Sequence, residues 1–321
     1  MRALLCLILI WCSTSAFAAT PAVIYPPATV EVRAEKLADH SYYIPGMAGA
    51  ASTRNQGFMS NAGFVITPAG VVVFDTLGSP SLAQEMVKRI RELTELPIKR
   101  VIVSHYHADH YYGIQVFKEL GAEIWAHEAG KSVVGSDAAK QRFEQRKEIL
   151  GQWINDQTQR FPTPEVWLSG DTDFELGGMQ FRVRHVGPAH SDEDLVLFVE
   201  ADGVLYAGDL VFKGRVPFVG DADSKRWLNA LEKLIALQPK LLVPGHGGAS
   251  DTPMEDLTLT RDYLVFLRNE MGRAVDELIP FEEAYEKTDW TRYEKMPAFL
   301  EANRRNAYNI YIQMDKESVS K

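Results

Sequence analysis

"SHYHADHYYG", residues 104–113, places three histidines and an aspartate within six positions. The chain has only eight histidines among 321 residues, so this segment concentrates the side chains that most often bind metal ions. The apolar run "VIV" just before it indicates a short buried strand. On the loop after a strand, the side chains of an H-x-H-x-D-H run can meet at one centre, whereas a helix would direct residues i and i+2 to different sides. The segment therefore predicts a metal-binding loop at the end of a strand.

Three more candidates for the same centre stand at or near strand ends elsewhere in the chain. His190 lies in "GPAHS" between two strand patterns, Asp209 ends an apolar run in "AGDL", and His246 ends the apolar run "LLVPGH". Asp75 also ends a strand, and we expect it to hydrogen-bond the metal-binding loop rather than to bind metal. The remaining histidines are interpreted as ordinary surface or core residues, namely His40, His127 and His185.

A repeated order of elements surrounds these residues. "NAGFVITPAGVVVFDT", residues 61–76, reads as a hairpin, and a helix capped by Ser79 and a strand leading to the histidines follow it. "DLVLFVEADGVLYAGD", residues 194–209, again reads as two strands, followed by the helix pattern of residues 224–238 and the strand "LLVPGH". The repeat predicts two ββαβ halves with their functional groups at equivalent strand ends. We therefore expect an α+β fold, a four-layer αββα sandwich with extra C-terminal helices.

The first residues read as an export signal. A positive start at Met1 and Arg2 precedes an apolar stretch that is too short to span a bilayer, and Ala16 and Ala18 stand in A-x-A spacing. We expect cleavage near Ala18 and a periplasmic or secreted protein, with a buried N-terminal element or a lipid anchor at Cys12 as alternatives. Both cysteines of the chain lie in this signal, so a metal site in the mature protein must use His, Asp and Glu.

The expected organisation is a signal, a lead-in, one large domain and its helical extension. A charged helix is expected at residues 138–160, inside the large domain. The ranges are residues 1–18 for the signal, 19–39 for the Pro-rich lead-in and first strand, 40–251 for the domain, and 252–321 for the C-terminal helices of the same domain.

The charge of the chain excludes one class of partner. Its formal net charge is −9, and no long run of Lys or Arg occurs. Binding of a nucleic acid needs clustered cations, so we expect a small-molecule substrate, no nucleic acid and no membrane span.

The ordered set "HYHADH", "GPAHS", "AGDL" and "PGHG" resembles the metallo-β-lactamase-fold superfamily from about residue 40 to 250. The resemblance implies a dinuclear site with two Zn²⁺ ions, or with Fe or Mn. It also implies a first metal on His105, His107 and His190, a second on Asp109, His110 and His246, and Asp209 as the bridge between them.

Finer resemblance points to a branch of the superfamily. The branch of lactamases with cysteine at the position of Asp209 is excluded, and the pattern is closer to glyoxalase II, lactonases and related hydrolases. The segments "GDLVFKGRVPFVGDADSKRWLNALEKL" and "PAFLEANRRNAY" resemble exported zinc metallohydrolases of quinoprotein dehydrogenase relay systems. This likeness implies a periplasmic quinoprotein dehydrogenase system as a partner.

The ligand set predicts a hydrolase of a small ester, thioester or lactam. Two metals generate a hydroxide nucleophile at neutral pH, and Asp109 either orients it or passes a proton to the leaving group. Lys213 and Arg215 are candidates for binding a substrate carboxylate, and Tyr111 for lining the pocket. The tail offers Tyr308 and Tyr311 as residues that overhang the site. Three alternatives stay open: a β-lactamase, an iron-dependent sulfur-oxidising enzyme and a non-catalytic periplasmic metal-binding accessory protein.

Overall fold

The computed structural model describes residues 25–319, so the expected signal and the start of the lead-in lie outside the described residues. Two sheets are formed. The first has seven strands, namely β1 (Glu35–Lys36), β2 (Ser41–Ile44), β3 (Ala62–Thr67), β4 (Gly70–Phe74), β5 (Ile98–Ile102), β6 (Glu123–His127) and β7 (Val166–Leu168). The second has five, namely β8 (Thr172–Leu176), β9 (Met179–His185), β10 (Leu195–Val199), β11 (Val204–Phe212) and β12 (Leu241–His246).

Eight α-helices accompany the sheets in the described part of the chain. They are α1 (Pro80–Leu93), α2 (Ala108–Tyr111), α3 (Ile114–Glu119), α4 (Asp137–Leu150), α5 (Ser224–Ala236), α6 (Pro253–Asp276), α7 (Phe281–Lys287) and α8 (Phe299–Val319). Within residues 25–319 no helix combines the length and the apolar character needed to cross a membrane.

Successive side chains along each strand point to opposite faces of the sheet, and so they pack into different layers of the fold. In β4, Val71 and Val73 face a core that includes residues of α1, while Val72 and Phe74 face the other sheet. The central core between the sheets joins side chains of both, and a third core packs the second sheet against α5, α6 and α8. The predicted four-layer αββα sandwich with C-terminal helices is confirmed.

The expected ββαβ repeat is present in both halves. β3 pairs antiparallel with β4, and β5, after α1, pairs parallel with β4. In the same way β10 pairs antiparallel with β11, and β12, after α5, pairs parallel with β11. Parallel pairing brings the carboxyl ends of neighbouring strands to one edge of each sheet, which is where the candidate ligands lie.

Two elements are shorter in the structure than the sequence predicts. α4 ends at Leu150 rather than near residue 160, and the chain continues through turns from Gly151 onward. Ile154, which lies inside the expected range of that helix, is buried but stands beyond the helix end. The first expected strand is reduced to the two residues of β1.

Candidate metal centre

The histidine segment is a loop only in its first part. His105 follows β5, and His107 is the N-cap of α2, with extended backbone. Asp109 and His110 lie on the short helix α2 itself, contrary to the expectation of a loop throughout. The turn of helix brings these two side chains to the same centre as the two loop histidines, because the backbone changes direction at His107.

The structure brings all seven predicted ligands together in two groups. The first contains His105, His107, His190 and Asp209, and the second contains Asp109, His110 and His246. Within each group the candidate ligand atoms lie within 4.8 Å of one another. In the first group, His107 Nδ1 lies 3.0 Å from both His105 Nε2 and His190 Nε2. Such convergence of imidazole nitrogens suits one shared cation better than hydrogen bonds among the rings.

Asp209 lies between the two groups, with one oxygen toward each. Its Oδ2 atom is 3.4 Å from His190 Nε2 and 4.0 Å from His105 Nε2, in the first group. Its Oδ1 atom is 3.1 Å from His110 Nε2 and 3.3 Å from His246 Nε2, in the second. The second group is completed by Asp109, whose Oδ2 atom is 3.4 Å from His246 Nε2. A carboxylate placed in this way can contact two cations at once.

Asp75 orients the histidine segment, as expected from its position at the end of β4. Its Oδ2 atom lies 2.8 Å from His110 Nδ1 and accepts a hydrogen bond of 2.8 Å from Ser104 Oγ. Ser104 Oγ in turn lies 2.9 Å from His105 Nδ1. Asp75 has φ of 62°, a strained backbone for a residue with a side chain. One carboxylate thus fixes a histidine in each group through the ring nitrogen that faces away from the centre.

Residues 59–61, which the sequence analysis did not single out, connect the two halves at the centre. Met59 O lies 2.9 Å from His246 Nδ1, and Ser60 Oγ donates to Asp109 O. Asn61 Nδ2 donates to the carbonyl oxygens of Pro244 and Gly247, at 2.8 and 2.7 Å. No sequence signal marks this segment, because its partners lie far away in the chain, 49 residues for Ser60 and more than 180 residues for Met59 and Asn61.

Two acidic residues next to His190 were also missed. Glu193 accepts a hydrogen bond from Tyr106 N at 3.0 Å, and Asp194 accepts two from Ser191, at 2.8 and 2.7 Å. Burial raises the pKa of both carboxyls. These bonds hold the loop of His190 against the loop of His105 and His107. The acidic run "SDED" beside the histidine is the only sequence feature that accompanies them.

The charge states of three histidines and of Asp209 suit metal ligands. Burial lowers the pKa of His105, His107 and His190, in the last case to about 4, so these imidazoles are neutral at pH 7. Burial alone would raise the pKa of Asp209, but His246 and His110 hold it well below its usual range. Burial alone would lower the pKa of His110, but Asp209 and two further carboxylates raise it well above.

Unsatisfied polar atoms mark the same centre. Among the described residues, His110 Nε2 and Asp209 Oδ1 are buried and lack a hydrogen-bond partner of good geometry. Buried polar atoms without a partner are costly, and a bound cation would compensate both. Nitrogen and carboxylate donors without sulfur suit Zn²⁺, Fe or Mn, so the residues fit the predicted metals.

The predicted substrate residues lie in different surroundings. Lys213 Nζ donates to Ala249 O at 3.0 Å and lies 3.9 Å from Asp256, so it is held by neighbouring backbone and an acid. Arg215 has its guanidinium 5.8 Å from the ring of Phe212, which stacks on His246 at 5.3 Å. Burial lowers the pKa of Arg215, whereas Asp209, Glu301 and Asp109 raise it. Arg215 therefore lies within electrostatic reach of the centre.

Aromatic residues near the centre are largely packed into the core. Tyr111 is 5% exposed and contacts the rings of Tyr106 and Phe161 at 4.7 and 5.5 Å. Burial raises its pKa. In the tail, Tyr308 packs on Phe281, and Tyr311 OH donates to Ile279 O. These contacts tie the two tail tyrosines to the segment between α6 and α7.

The histidines that were interpreted as ordinary residues form none of the candidate metal groups among residues 25–319. His40 Nδ1 lies 3.0 Å from Asp202 Oδ1. His127 and His185 stack on each other, with ring centroids 3.5 Å apart.

Fold and site together define the class of metal-dependent hydrolases. A family model described as the metallo-β-lactamase superfamily matches residues 55–246, more than half of the 321 residues. The chain belongs to the metallo-β-lactamase superfamily. This confirms the predicted family and, with it, the predicted class of enzyme.

Individual relatives are distant. The chain is 23% identical to a linear primary-alkylsulfatase from Pseudomonas sp. over 68% of this chain and 48% of the relative. It is also 23% identical to a type 2 metallo-β-lactamase from Elizabethkingia meningoseptica, over 70% of this chain and 82% of the relative. The chain thus spans about half the length of the alkylsulfatase that it matches.

Solved structures share the fold. A metallo-β-lactamase from Pontibacter korlensis aligns with a TM-score of 0.60 and 21% identity, over 73% of this chain and 99% of that chain. A stereoselective inverting sec-alkylsulfatase from Pseudomonas sp. aligns with a TM-score of 0.67 and 16% identity, over 88% of this chain and 50% of that chain. At these identities the likeness shows the fold alone.

Proposed function

We propose that the chain is an exported dinuclear zinc hydrolase that cleaves a small ester, thioester or lactam. One observation carries the proposal. The two carboxylate oxygens of Asp209 point to two separate groups of ligand atoms, at 3.4 Å from His190 Nε2 and 3.1 Å from His110 Nε2. This arrangement favours two cations over one, since a single ion would leave one of the groups unsatisfied.

The residues would divide between the two ions as the resemblance implies. His105, His107 and His190 would hold one ion and Asp109, His110 and His246 the other, with Asp209 shared. When bound, the pair supplies a water of lowered pKa and a Lewis acid for the substrate carbonyl. Asp75 and Met59 keep ring nitrogens turned toward the centre, through bonds of 2.8 and 2.9 Å.

Two side chains are assigned to the substrate and its proton. Asp109 is the acid–base candidate, because its carboxylate lies in the second group. His110 and His246 outweigh burial to lower its pKa, so the carboxylate is ionised at neutral pH and can accept a hydrogen bond from the nucleophile. Arg215 binds an anionic group of the substrate, and Lys213 supports the same loop. Substitutions that remove the charges of both Lys213 and Arg215 should raise KM for acidic substrates. An unchanged KM would contradict this assignment.

β-Lactamase activity is the second candidate, because a type 2 metallo-β-lactamase matches 70% of this chain. The alkylsulfatase relative adds sulfate esters to the ester substrates worth testing. Iron-based sulfur oxidation commonly uses one metal, and two groups of ligands disfavour it. If the chain is instead a metal-binding accessory protein, it should bind metal but hydrolyse no substrate.

The test is metal analysis followed by a substrate panel. Purified mature protein is assayed for Zn, Fe and Mn, then for hydrolysis of an aryl ester, a thioester, a lactone, an alkyl sulfate and nitrocefin. We expect about two Zn per chain and turnover of an ester or thioester. Nitrocefin turnover alone supports the β-lactamase, iron at one per chain supports the oxidising enzyme, and full zinc without turnover supports the accessory role.

Export rests on the sequence of residues 1–18. Expression of the full chain with fractionation and N-terminal sequencing tests it, with a mature start at Ala19 as the expected result. The quinoprotein dehydrogenase partner rests on sequence resemblance, and co-purification with such a dehydrogenase would test it.

A further inference from the structure

Helix α4 carries two arginines without an acidic partner. Arg142 and Arg146 are spaced i and i+4, so they share one face of the helix. Both are half-buried, and neither lies within ion-pair distance of a carboxylate in residues 25–319. The lysines of α4 behave differently, since Lys140 pairs with Asp137 and Lys147 pairs with Glu144 and Asp156.

The two arginines lie beside the metal-binding residues. Arg142 Nη1 donates to Tyr106 O at 3.1 Å, and Tyr106 stands between His105 and His107 in the chain. Arg146 lies one helical turn from Arg142 on the same face of α4, the face from which Arg142 reaches the histidine segment.

Unpaired half-buried cations at this place need a reason. A partly desolvated charge without a partner is unfavourable, and the ion pairs of Asp137 and Glu144 in α4 go to its lysines. A planar guanidinium with free N–H groups is the group that best recognises carboxylate, sulfate or phosphate oxygens. Arg215 is a separate cation that follows β11 in the other half of the molecule.

We propose that Arg142 and Arg146 bind an anionic group of the substrate that is distinct from the group being hydrolysed. The proposal rests on the proposed function and narrows its substrate class to esters, thioesters or lactams that carry a second, negatively charged group. Arg142 also supports the histidine loop through Tyr106 O, whereas Arg146 makes no hydrogen bond to a described residue. Arg146 is therefore the cleaner position for a test.

The experiment measures binding of small acids to metal-loaded protein by calorimetry. Valerate offers one carboxylate, which the metal centre can take, and glutarate of equal chain length offers a second one for the arginines. We expect glutarate to bind more tightly than valerate to the unaltered protein. Arg146→Gln should weaken glutarate about tenfold and valerate less than about twofold, the size expected for one charged hydrogen-bonding partner. Arg146→Lys keeps the charge but loses the planar guanidinium group. Its affinity for glutarate should lie between that of the unaltered protein and that of Arg146→Gln.

Control variants and further ligands distinguish a specific arginine site from a general effect of charge or from damage to the metal centre. Lys140→Gln removes a charge from the same helix at a position paired with Asp137, and it should leave both affinities as they are. 4-Sulfobutyrate and 4-phosphonobutyrate replace the second carboxylate and identify the preferred oxyanion. The Arg142→Gln/Arg146→Gln variant is checked for metal content and melting temperature, because Arg142 supports the histidine loop.

The outcomes are distinguishable. A metal-loaded protein that binds glutarate no more tightly than valerate overturns the arginine site and leaves the proposed function standing. Equal weakening of both acids in Arg146→Gln also overturns it, since that result indicates damage to the centre. Unaltered protein that retains no metal overturns the proposed function, and the arginine site with it.

Discussion

Asp209 is the residue on which the centre depends most. It is 5% exposed and faces both ligand groups, with one carboxylate oxygen toward each. The neighbouring histidines stabilise its charge against burial, which keeps the carboxylate ionised at neutral pH. A cysteine or amide at this position could not offer two equivalent negative oxygens.

Asp209→Asn tests this role. The amide keeps the volume but removes the charge and one oxygen, so bound metal should fall from about two to about one per chain or fewer. kcat/KM should fall at least about 100-fold, the upper range for loss of an outer partner of a metal ligand. Elemental analysis and kinetics check both. Asp173→Asn, an exposed carboxylate that pairs with Arg184, is the control and should retain metal and activity.

Gly245 makes room for this carboxylate. A Cβ there would lie 1.9 Å from Asp209 Oδ1 and 2.8 Å from the carbonyl carbon of Gly208, which is backbone. Gly245→Ala should therefore displace Asp209, lower metal retention and reduce the free energy of unfolding by about 1–3 kcal/mol. Urea unfolding and metal analysis measure this. Gly248→Ala, whose Cβ would meet nothing within 4 Å, should show neither effect.

At the scale of elements, loops between strands join the two halves. Residues 59–61 approach β12 from the first half, and Asn61 Nδ2 donates to the carbonyl oxygens on both sides of His246. α8 has a similar role on the far side: Asn306 is fully buried, accepts a hydrogen bond from Val219 N and donates to Pro217 O. The C-terminal helices thus fix the loop that follows Arg215.

Asn61→Ala should destabilise the protein and weaken the second group of ligands. Loss of the side-chain amide leaves the buried carbonyl group of Pro244, and that of the exposed residue Gly247, without their donor, at a cost of about 1–3 kcal/mol. Urea unfolding of the metal-free protein measures the stability, and titration with zinc measures the affinity. Normal stability together with normal zinc affinity would show that Asn61 does not hold β12 in place.

The pH dependence of stability belongs to the whole molecule. His127 and His190 have pKa values of about 4 in the folded protein, chiefly through burial, against 6.5 when free. Between pH 6.5 and 4 the unfolded chain therefore binds protons that the folded chain does not, and stability falls as the pH falls. His110 acts oppositely, since its raised pKa gives stability that is lost as the pH rises. More histidines have a lowered pKa than a raised one, because burial also lowers the pKa of His105 and His107.

For the metal-free protein we expect the free energy of unfolding to be about 1–3 kcal/mol lower at pH 5 than at pH 7. Urea unfolding at the two pH values measures it. His127→Gln, outside the ligand groups, should reduce the difference. Equal stability at both pH values would mean that the buried histidines are protonated in the folded state or compensated by His110.

Much of the molecule was predictable from local patterns. The hairpin of β3 and β4, the capped helix α1 and the second ββαβ half follow from periodicity and turn residues, and all appear in the structure. The end of α4 was misplaced, because Ile154 stands four residues after Leu150 and continues the helical spacing beyond the end of the helix. The ligand residues were found because histidines are rare and stand at strand ends.

The sequence by itself determined the αββα fold and the ligand types, since hydrophobic periodicity and side-chain chemistry are properties of neighbouring residues. Only the tertiary structure decided which oxygen of Asp209 faces which group, how residues 59–61 hold His246, and that Arg142 and Arg146 lack acidic partners. These contacts join residues from 19 to 187 positions apart in the chain. Their geometry follows from how the two sheets pack, which no local pattern encodes.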